Sequence, residues 1–176
     1  ALEPHAADPD GLAVQVEEAW RSFHAGDFAD AVDRGLAAGP VGGVVAVRAA
    51  TVYARHLEED PQQRIAILRE AVDSAAALVR LAPNWANAWY AHGAALVRYS
   101  QHLSVVKALS QGLGSKVRES LQKAIDLEPR HADAHIALGT WHAEIINKVG
   151  AVVGGLTYGA KKDAAEKHFK TALQLN

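Results

Sequence analysis

Apolar residues recur at helical spacing from Leu12 onward, so the pattern predicts eight helices and no strand of useful length. The apolar stripe of the first helix consists of Val14, Val16, Ala19, Trp20 and Phe23. The predicted helices cover about 12–23, 28–38, 41–58, 61–81, 85–104, 116–127, 131–149 and 160–175. Because the connections between them are short, consecutive helices are expected to pair as hairpins, which gives an all-α chain.

Glycine, proline and capping residues set the predicted helix ends. Gly39-Pro40 ends the second helix, and Gly42-Gly43 weakens the start of the third. Asp60 is predicted to cap the fourth helix, Asn84 the fifth and Ser115 the sixth.

An internal repeat occupies the second half of the chain. Its two copies begin Ala86-Asn87-Ala88-Trp89-Tyr90-Ala91-His92-Gly93 and Ala132-Asp133-Ala134-His135-Ile136-Ala137-Leu138-Gly139. Trp89 and His135 are 46 residues apart, and Ala124 and Ala172, in the closing segments, are 48 apart. A copied helix pair predicts a stack in which each pair covers an apolar face of its neighbour.

These residues resemble the tetratricopeptide repeat (TPR), whose helix pair carries a large aromatic residue, a Leu-Gly pair and a closing Ala-x-x-Leu-x-Pro element. The matching positions are Trp89, His92, Gly93, Leu121, Ala124, Leu127 and Pro129 in one copy, and His135, Leu138, Gly139, Ala165, Phe169, Ala172 and Leu175 in the next. Segment 24–31 resembles the middle of the motif, and 41–84 matches it loosely. Gly93 and Gly139 are expected to let the paired helix approach closely.

The resemblance implies a right-handed α-α superhelix, or TPR-like solenoid, of about eight helices in four hairpins. It implies a single domain over 11–176 after a flexible terminus at 1–10, with approximate units 11–40, 41–84, 85–130 and 131–176.

The two late units are longer than the roughly 34 residues of a TPR unit. Long inserts lie at about 99–116 and 145–161, and each contains a glycine-basic loop, at 111–116 and 155–161. The glycines of the second insert predict a flexible connector. Units of this length resemble those of some bacterial periplasmic solute-transport accessory proteins and of microtubule-dynamics regulators with TPR-like folds.

The first helices of TPR-like units line a concave groove, so the resemblance implies which side chains face a partner. The predicted groove residues are Asn87, Tyr90, Val97, Arg98, Asp133, Ile136, Thr140 and Glu144, with Ala94 and Ala143 among them. This mixture of apolar and polar side chains suits a protein or peptide partner. Ordinary solvated helix surface is the alternative. The Lys and Asn set with which TPR domains clamp a terminal carboxylate is missing.

Composition and charge narrow the classes of function. The chain has no cysteine, which excludes disulfides and cysteine-ligated zinc. Its net charge of −2 argues against nonspecific nucleic-acid binding, and no apolar run approaches the roughly 20 residues of a membrane span. Residues 1–83 hold 13 acidic and 7 basic residues, a net charge of −6, whereas residues 84–176 hold 7 acidic and 11 basic residues, a net charge of +4.

Histidines provide the main candidate for metal chemistry. His131, His135 and His142 lie within about 40° of one another on a predicted helix, a ligand-like arrangement for zinc. The TPR resemblance instead implies that His92, His135 and His142 pack in the core, and this is the favoured interpretation. The loop from Gly112 to Lys116 has no preceding strand, so it is interpreted as a helix connection and not as a phosphate-binding loop.

The sequence carries no recognisable catalytic motif, so we expect a non-enzymatic scaffold without a cofactor that binds a protein or peptide. A small-ligand or metal-binding accessory protein, periplasmic and associated with transport, is the alternative. The chain ends at Asn176, where a TPR unit would continue to proline, which predicts self-association through the C-terminal repeat. It begins at Ala1 and lacks methionine, which fits either a signal-cleaved exported protein or a trimmed cytoplasmic one.

Overall fold

The computed structural model describes residues 9–175 apart from the side chains of Val105 and Leu109, and every regular element within that range is helical. The predicted all-α class is therefore confirmed. The helices are α1 Pro9–Ala25, α2 Phe28–Ala37, α3 Gly39–His56, α4 Pro61–Leu81, α5 Ala86–Gln101, α6 Val105–Ser110, α7 Leu113–Leu127, α8 Ala132–Val149, α9 Ala151–Val153 and α10 Lys162–Leu175. A wide π-helical turn, Gly154–Tyr158, connects α9 to α10. Across the described range, no helix is both long and apolar enough to cross a membrane.

The chain divides into two compact units, Ala1–Ala82 and Pro83–Asn176. The first unit contains α1 to α4, and the second contains α5 to α10. Of the predicted flexible terminus, residues 1–8 lie outside the described residues. Pro9 and Asp10 are instead the first turn of α1, where proline and an acidic side chain both suit a helix start.

In the first unit, short connections join the helices, and two of them contain a polar capping residue. Gly26 has a φ of 84°, and the Asp27 carboxylate then caps α2 by accepting from the Asp30 amide at 3.2 Å. The predicted cap of α4 is confirmed, because the Asp60 carboxylate accepts from the amides of residues 62 and 63 at 2.7 and 3.2 Å. Pro61 occupies the first turn of that helix.

The closest helix contact of the first unit is a pair of glycines, Gly35 on α2 and Gly42 on α3. A Cβ atom built on Gly42 would lie 2.3 Å from the Gly35 carbonyl oxygen, and one built on Gly35 would lie 2.7 Å from the Gly42 oxygen. The sequence predicts a helix start weakened by Gly42-Gly43, but α3 begins earlier, at Gly39. Here the close backbone approach outweighs the low helix propensity of glycine.

In the second unit, α5 packs against α7 and α8 packs against α10. A Cβ on Gly93 would lie 2.8 Å from Leu121 Cδ2, and a Cβ on Gly139 would lie 2.9 Å from Phe169 Cε1. The prediction that these two glycines permit close helix packing is confirmed. Leu121 is fully buried at this contact.

Several predicted helix ends in the second unit are wrong. Trp85, not Asn84, precedes α5, and it makes no side-chain cap. The long fifth helix is two elements, because α5 ends at Gln101 and α6 begins at Val105. Gly112, with a φ of 63°, precedes α7, so Ser115 lies inside the helix and does not cap it.

The glycine-rich connector predicted at 150–159 is helical rather than irregular. Gly150 and Gly159 adopt positive φ at its two ends, and the amide of Ala160 bonds the Gly154 carbonyl at 3.0 Å. Gly154 and Ala160 are buried. The glycines therefore allow a compact turn that packs onto the unit.

Candidate functional site

The predicted groove residues lie on two helices of the second unit, and we call the surface that they form the α5–α8 face. Helical spacing places them in one stripe on each helix. On α5 the stripe contains Asn87, Tyr90, Val97 and Arg98, and on α8 it contains Asp133, Ile136, Thr140 and Glu144.

A side-chain bridge joins the beginnings of α5 and α8. His131 caps α8, because its Nδ1 accepts from the Ala134 amide at 3.2 Å. Its Nε2 therefore carries the proton and donates to the Asn87 Oδ1 at 3.0 Å. The Tyr90 ring lies against the imidazole, with the ring centroids 4.8 Å apart. This bridge fixes the amino-terminal end of the face.

Beyond the bridge, the face combines exposed apolar and polar groups. Ile136 is 41% exposed, and Asp133 and Thr140 beside it on α8 are also exposed. Arg98 on α5 is half-buried and donates to Gln101 at 3.4 Å, and Glu144 on α8 pairs with Lys148 at 3.1 Å. The face thus offers an apolar anchor position next to hydrogen-bonding groups.

The structure separates the histidines that the metal alternative groups together. His131 contacts α5, whereas the His135 Nδ1 lies 2.9 Å from the Nδ1 of His168 on α10. His142 accepts from the amide of Lys161 at 3.2 Å. Within residues 9–175, no group of three or more histidine, aspartate or glutamate side chains is placed to hold a metal ion.

The core packing predicted for His135 and His142 is confirmed, whereas His92 is half-buried. His135 and His142 are only 7% and 6% exposed. The Nδ1 of His92 lies 2.9 Å from the hydroxyl of Ser120 on α7, and that hydroxyl donates to the Lys116 carbonyl. His168, the partner of His135, was not singled out from the sequence, because only the packing of α10 on α8 brings the two rings together.

Hydrogen bonds define how the protons are arranged in the pair of His135 and His168. The Nε2 of His135 donates to the Pro129 carbonyl at 3.0 Å, so its Nδ1 accepts from His168. Burial, and then His135 and His142, lower the pKa of His168 to about 4. Burial, and then Arg118, lower the pKa of His142. The rings of His168 and His142 are therefore neutral near pH 7.

We expect the second unit to lose stability in mild acid, and His168 to account for part of the loss. The folded pKa of about 4 lies below the ordinary 6.5, so the stability from the neutral ring is present above pH 6.5 and is lost as the pH falls to 4. After allowance for solvent screening, His168 contributes about 1 kcal/mol to this loss. Urea unfolding at several pH values measures it. His168→Gln should flatten the pH dependence over this range, and an unchanged slope would contradict the assignment.

The two inserts with glycine-basic loops pack against each other. Trp141 donates from its Nε1 to the Gly114 carbonyl at 3.0 Å, and the Tyr158 ring covers Gly114. Arg118 donates to the Tyr158 carbonyl at 3.0 Å. The connection predicted at Gly112 to Lys116 is therefore shorter than expected, because Gly112 alone precedes α7, and Gly114 inside the helix permits close packing against Tyr158.

The fold and its paired helices define a helical-repeat protein of the TPR-like class. A thermophilic TPR protein of Thermus thermophilus is similar, with a TM-score of 0.66, 17% identity, and coverage of 94% of this chain and 74% of that one. The crystal structure of MamA is also similar, with a TM-score of 0.55, 19% identity, and coverage of 96% of this chain and 80% of that one. The predicted TPR-like solenoid class is confirmed.

The sequence also matches one particular protein family. Residues 44–149 match the family described as regulator of microtubule dynamics protein 1-3, which is more than half of the 176 residues. The chain belongs to this family. No curated protein sequence matches the chain significantly.

Proposed function

We propose that this chain is a non-enzymatic scaffold that binds a protein or peptide partner through the α5–α8 face. The observation that carries the proposal is the exposure of Ile136 between Asp133 and Thr140, on a helix anchored by the His131 bridge. An apolar side chain ringed by hydrogen-bonding groups is typical of the centre of a binding site.

The bridge between α5 and α8 supports the proposal in a second way. Asn87, Tyr90 and His131 hold one end of the face in a fixed arrangement before a partner arrives. A face that is already ordered loses less conformational entropy on binding than a mobile loop does. TPR-like folds and helical repeats in general use such extended surfaces to bind other proteins.

The family name suggests which partner to test first. Because the family is described by the regulation of microtubule dynamics, tubulin and assembled microtubules are the first candidates. The mixed chemistry of the face does not by itself select among proteins, so affinity capture from a native lysate belongs in the same experiment.

Ile136→Asp should weaken partner binding while leaving the fold intact. The substitution places a carboxylate at the exposed apolar position, so we expect binding to weaken at least about tenfold. Co-sedimentation with microtubules and quantitative affinity capture measure the change.

Val41→Asp is the matched control, because Val41 is 43% exposed and lies in the first unit. It introduces the same charge and should retain the partners of the wild-type chain. If both variants retain the same partners equally well, the α5–α8 face is not the binding site.

A further inference from the structure

The first unit contains an apolar groove that shares no residue with the α5–α8 face. It has a volume of about 370 Å³ and lies where α2 and α4 both pack against α3. Residues at helical spacing line it from α2 and α4, and α3 contributes Ala46, Val47, Ala50 and Tyr53, of which the two alanines are small. Small residues between two flanking helices leave a channel that suits a further helix.

Apolar side chains reach solvent along this groove. Leu36 is 55% exposed and Tyr53 is 37% exposed, and Val32 lies one turn before Leu36 on the same stripe of α2. Covering such side chains removes apolar surface from water, which favours binding of an apolar segment.

The charged side chains that line the groove are both carboxylates. Asp33 extends from α2 and Glu70 from α4, and both are exposed. Arg34 follows Asp33 in the chain. It pairs with Glu18 on α1 at 2.8 Å and with Asp30 on α2 at 2.5 Å. The surrounding sequence is acidic as well, since residues 1–83 carry a net charge of −6. This potential favours a cationic partner.

We propose that this groove binds a basic amphipathic helix of a partner protein. Apolar side chains of that helix, spaced by three, four and seven residues, lie against Val32, Leu36 and Ala50. Lysine or arginine side chains on its flanks pair with Asp33 and Glu70. The groove thus favours a basic amphipathic segment over an acidic segment or a wholly apolar one.

Fluorescence anisotropy with the full chain tests the groove directly. The probe is a fluorescein-labelled amphipathic helix of leucine and lysine, and its counterpart has glutamate in place of every lysine. We expect the lysine peptide to bind at least about tenfold more tightly than the glutamate peptide, with an affinity that falls as salt rises. Equal affinities, or no binding of the lysine peptide, would overturn the proposal.

Two matched pairs of variants locate the bound peptide. Leu36→Gln should weaken binding about tenfold, whereas Leu57→Gln, at a leucine that is 54% exposed and outside the groove, should not.

The second pair tests the charges. Asp33→Asn with Glu70→Gln should weaken binding about fivefold and reduce its salt dependence. Glu17→Gln with Glu59→Gln changes the net charge equally at exposed positions that do not line the groove and should leave affinity within about twofold. Circular dichroism verifies that all variants are folded. Equal losses in the two charge pairs would show that net charge alone attracts the peptide and would overturn the proposal.

Discussion

Gly42→Ala is expected to destabilise the first unit by about 3 kcal/mol or more, or to prevent it from folding. The new methyl group would lie 2.3 Å from the Gly35 carbonyl oxygen and 2.7 Å from the Ala38 Cβ. Because the Gly35 oxygen is part of the backbone of α2, no side-chain rotation relieves the contact, and the two helices must separate. Urea unfolding followed by far-UV circular dichroism measures the change.

The adjacent glycine provides the control for this prediction. A Cβ on Gly43 would meet Leu78 Cδ1 at 3.4 Å, an ordinary contact with a flexible side chain. Gly43→Ala therefore gains helix propensity and should be neutral or stabilising by up to about 1 kcal/mol. Similar effects of the two substitutions would show that the glycine contact does not govern the packing of α2 on α3.

Leu121→Ala is expected to cost about 2 to 5 kcal/mol, because the side chain is fully buried against Gly93. Gly93→Ala should cost about 1 to 3 kcal/mol from overpacking, partly offset by improved helix propensity. In the double variant the methyl group at position 93 fills part of the space that Leu121 leaves. The combined loss should therefore be smaller than the sum by about 1 kcal/mol or more.

Unfolding of the two single variants and the double variant in urea measures this coupling. Strict additivity would indicate that α5 and α7 are held together elsewhere. Gly114 is a comparison position on α7 that contacts Tyr158 and is not part of the pair of Gly93 and Leu121.

The architecture of the second unit was predictable because the repeat places a glycine at each helix crossing. Gly93 and Gly139 occupy the same position in two copies, and each meets a large side chain of the paired helix. The pair of Gly35 and Gly42 lies in units that match the motif less closely. Without a second copy for comparison, only the low helix propensity of glycine was readable at Gly42.

The helix ends and the inserts were less predictable for a physical reason. Asn84 and Ser115 have good capping side chains, but packing sets the starts of α5 and α7 at other residues. In the second insert, glycines that are typical of a flexible loop instead permit a helical turn in which Gly154 is buried next to Ala160. Local propensity does not reveal which glycines face a neighbouring element.

The candidate site likewise combines features that the sequence indicates with features that depend on packing. The residues proposed for the α5–α8 face were chosen by motif, whereas the bridge from His131 to Asn87 depends on how two distant helices meet. The groove lined by Leu36 and Glu70 had no sequence signal, since each helix contributes an ordinary amphipathic stripe. Its apolar and acidic character emerges only when α2, α3 and α4 pack together.

Binding of the partner on the α5–α8 face is tested most directly by hydrogen exchange measured by mass spectrometry. The full chain is compared alone and in complex with the partner that the wild-type protein captures and Ile136→Asp does not. We predict slower exchange in α5 and in α8 around Ile136, because a bound partner suppresses opening of the helices that it contacts. Slower exchange confined to helices other than α5 and α8 would contradict the claim.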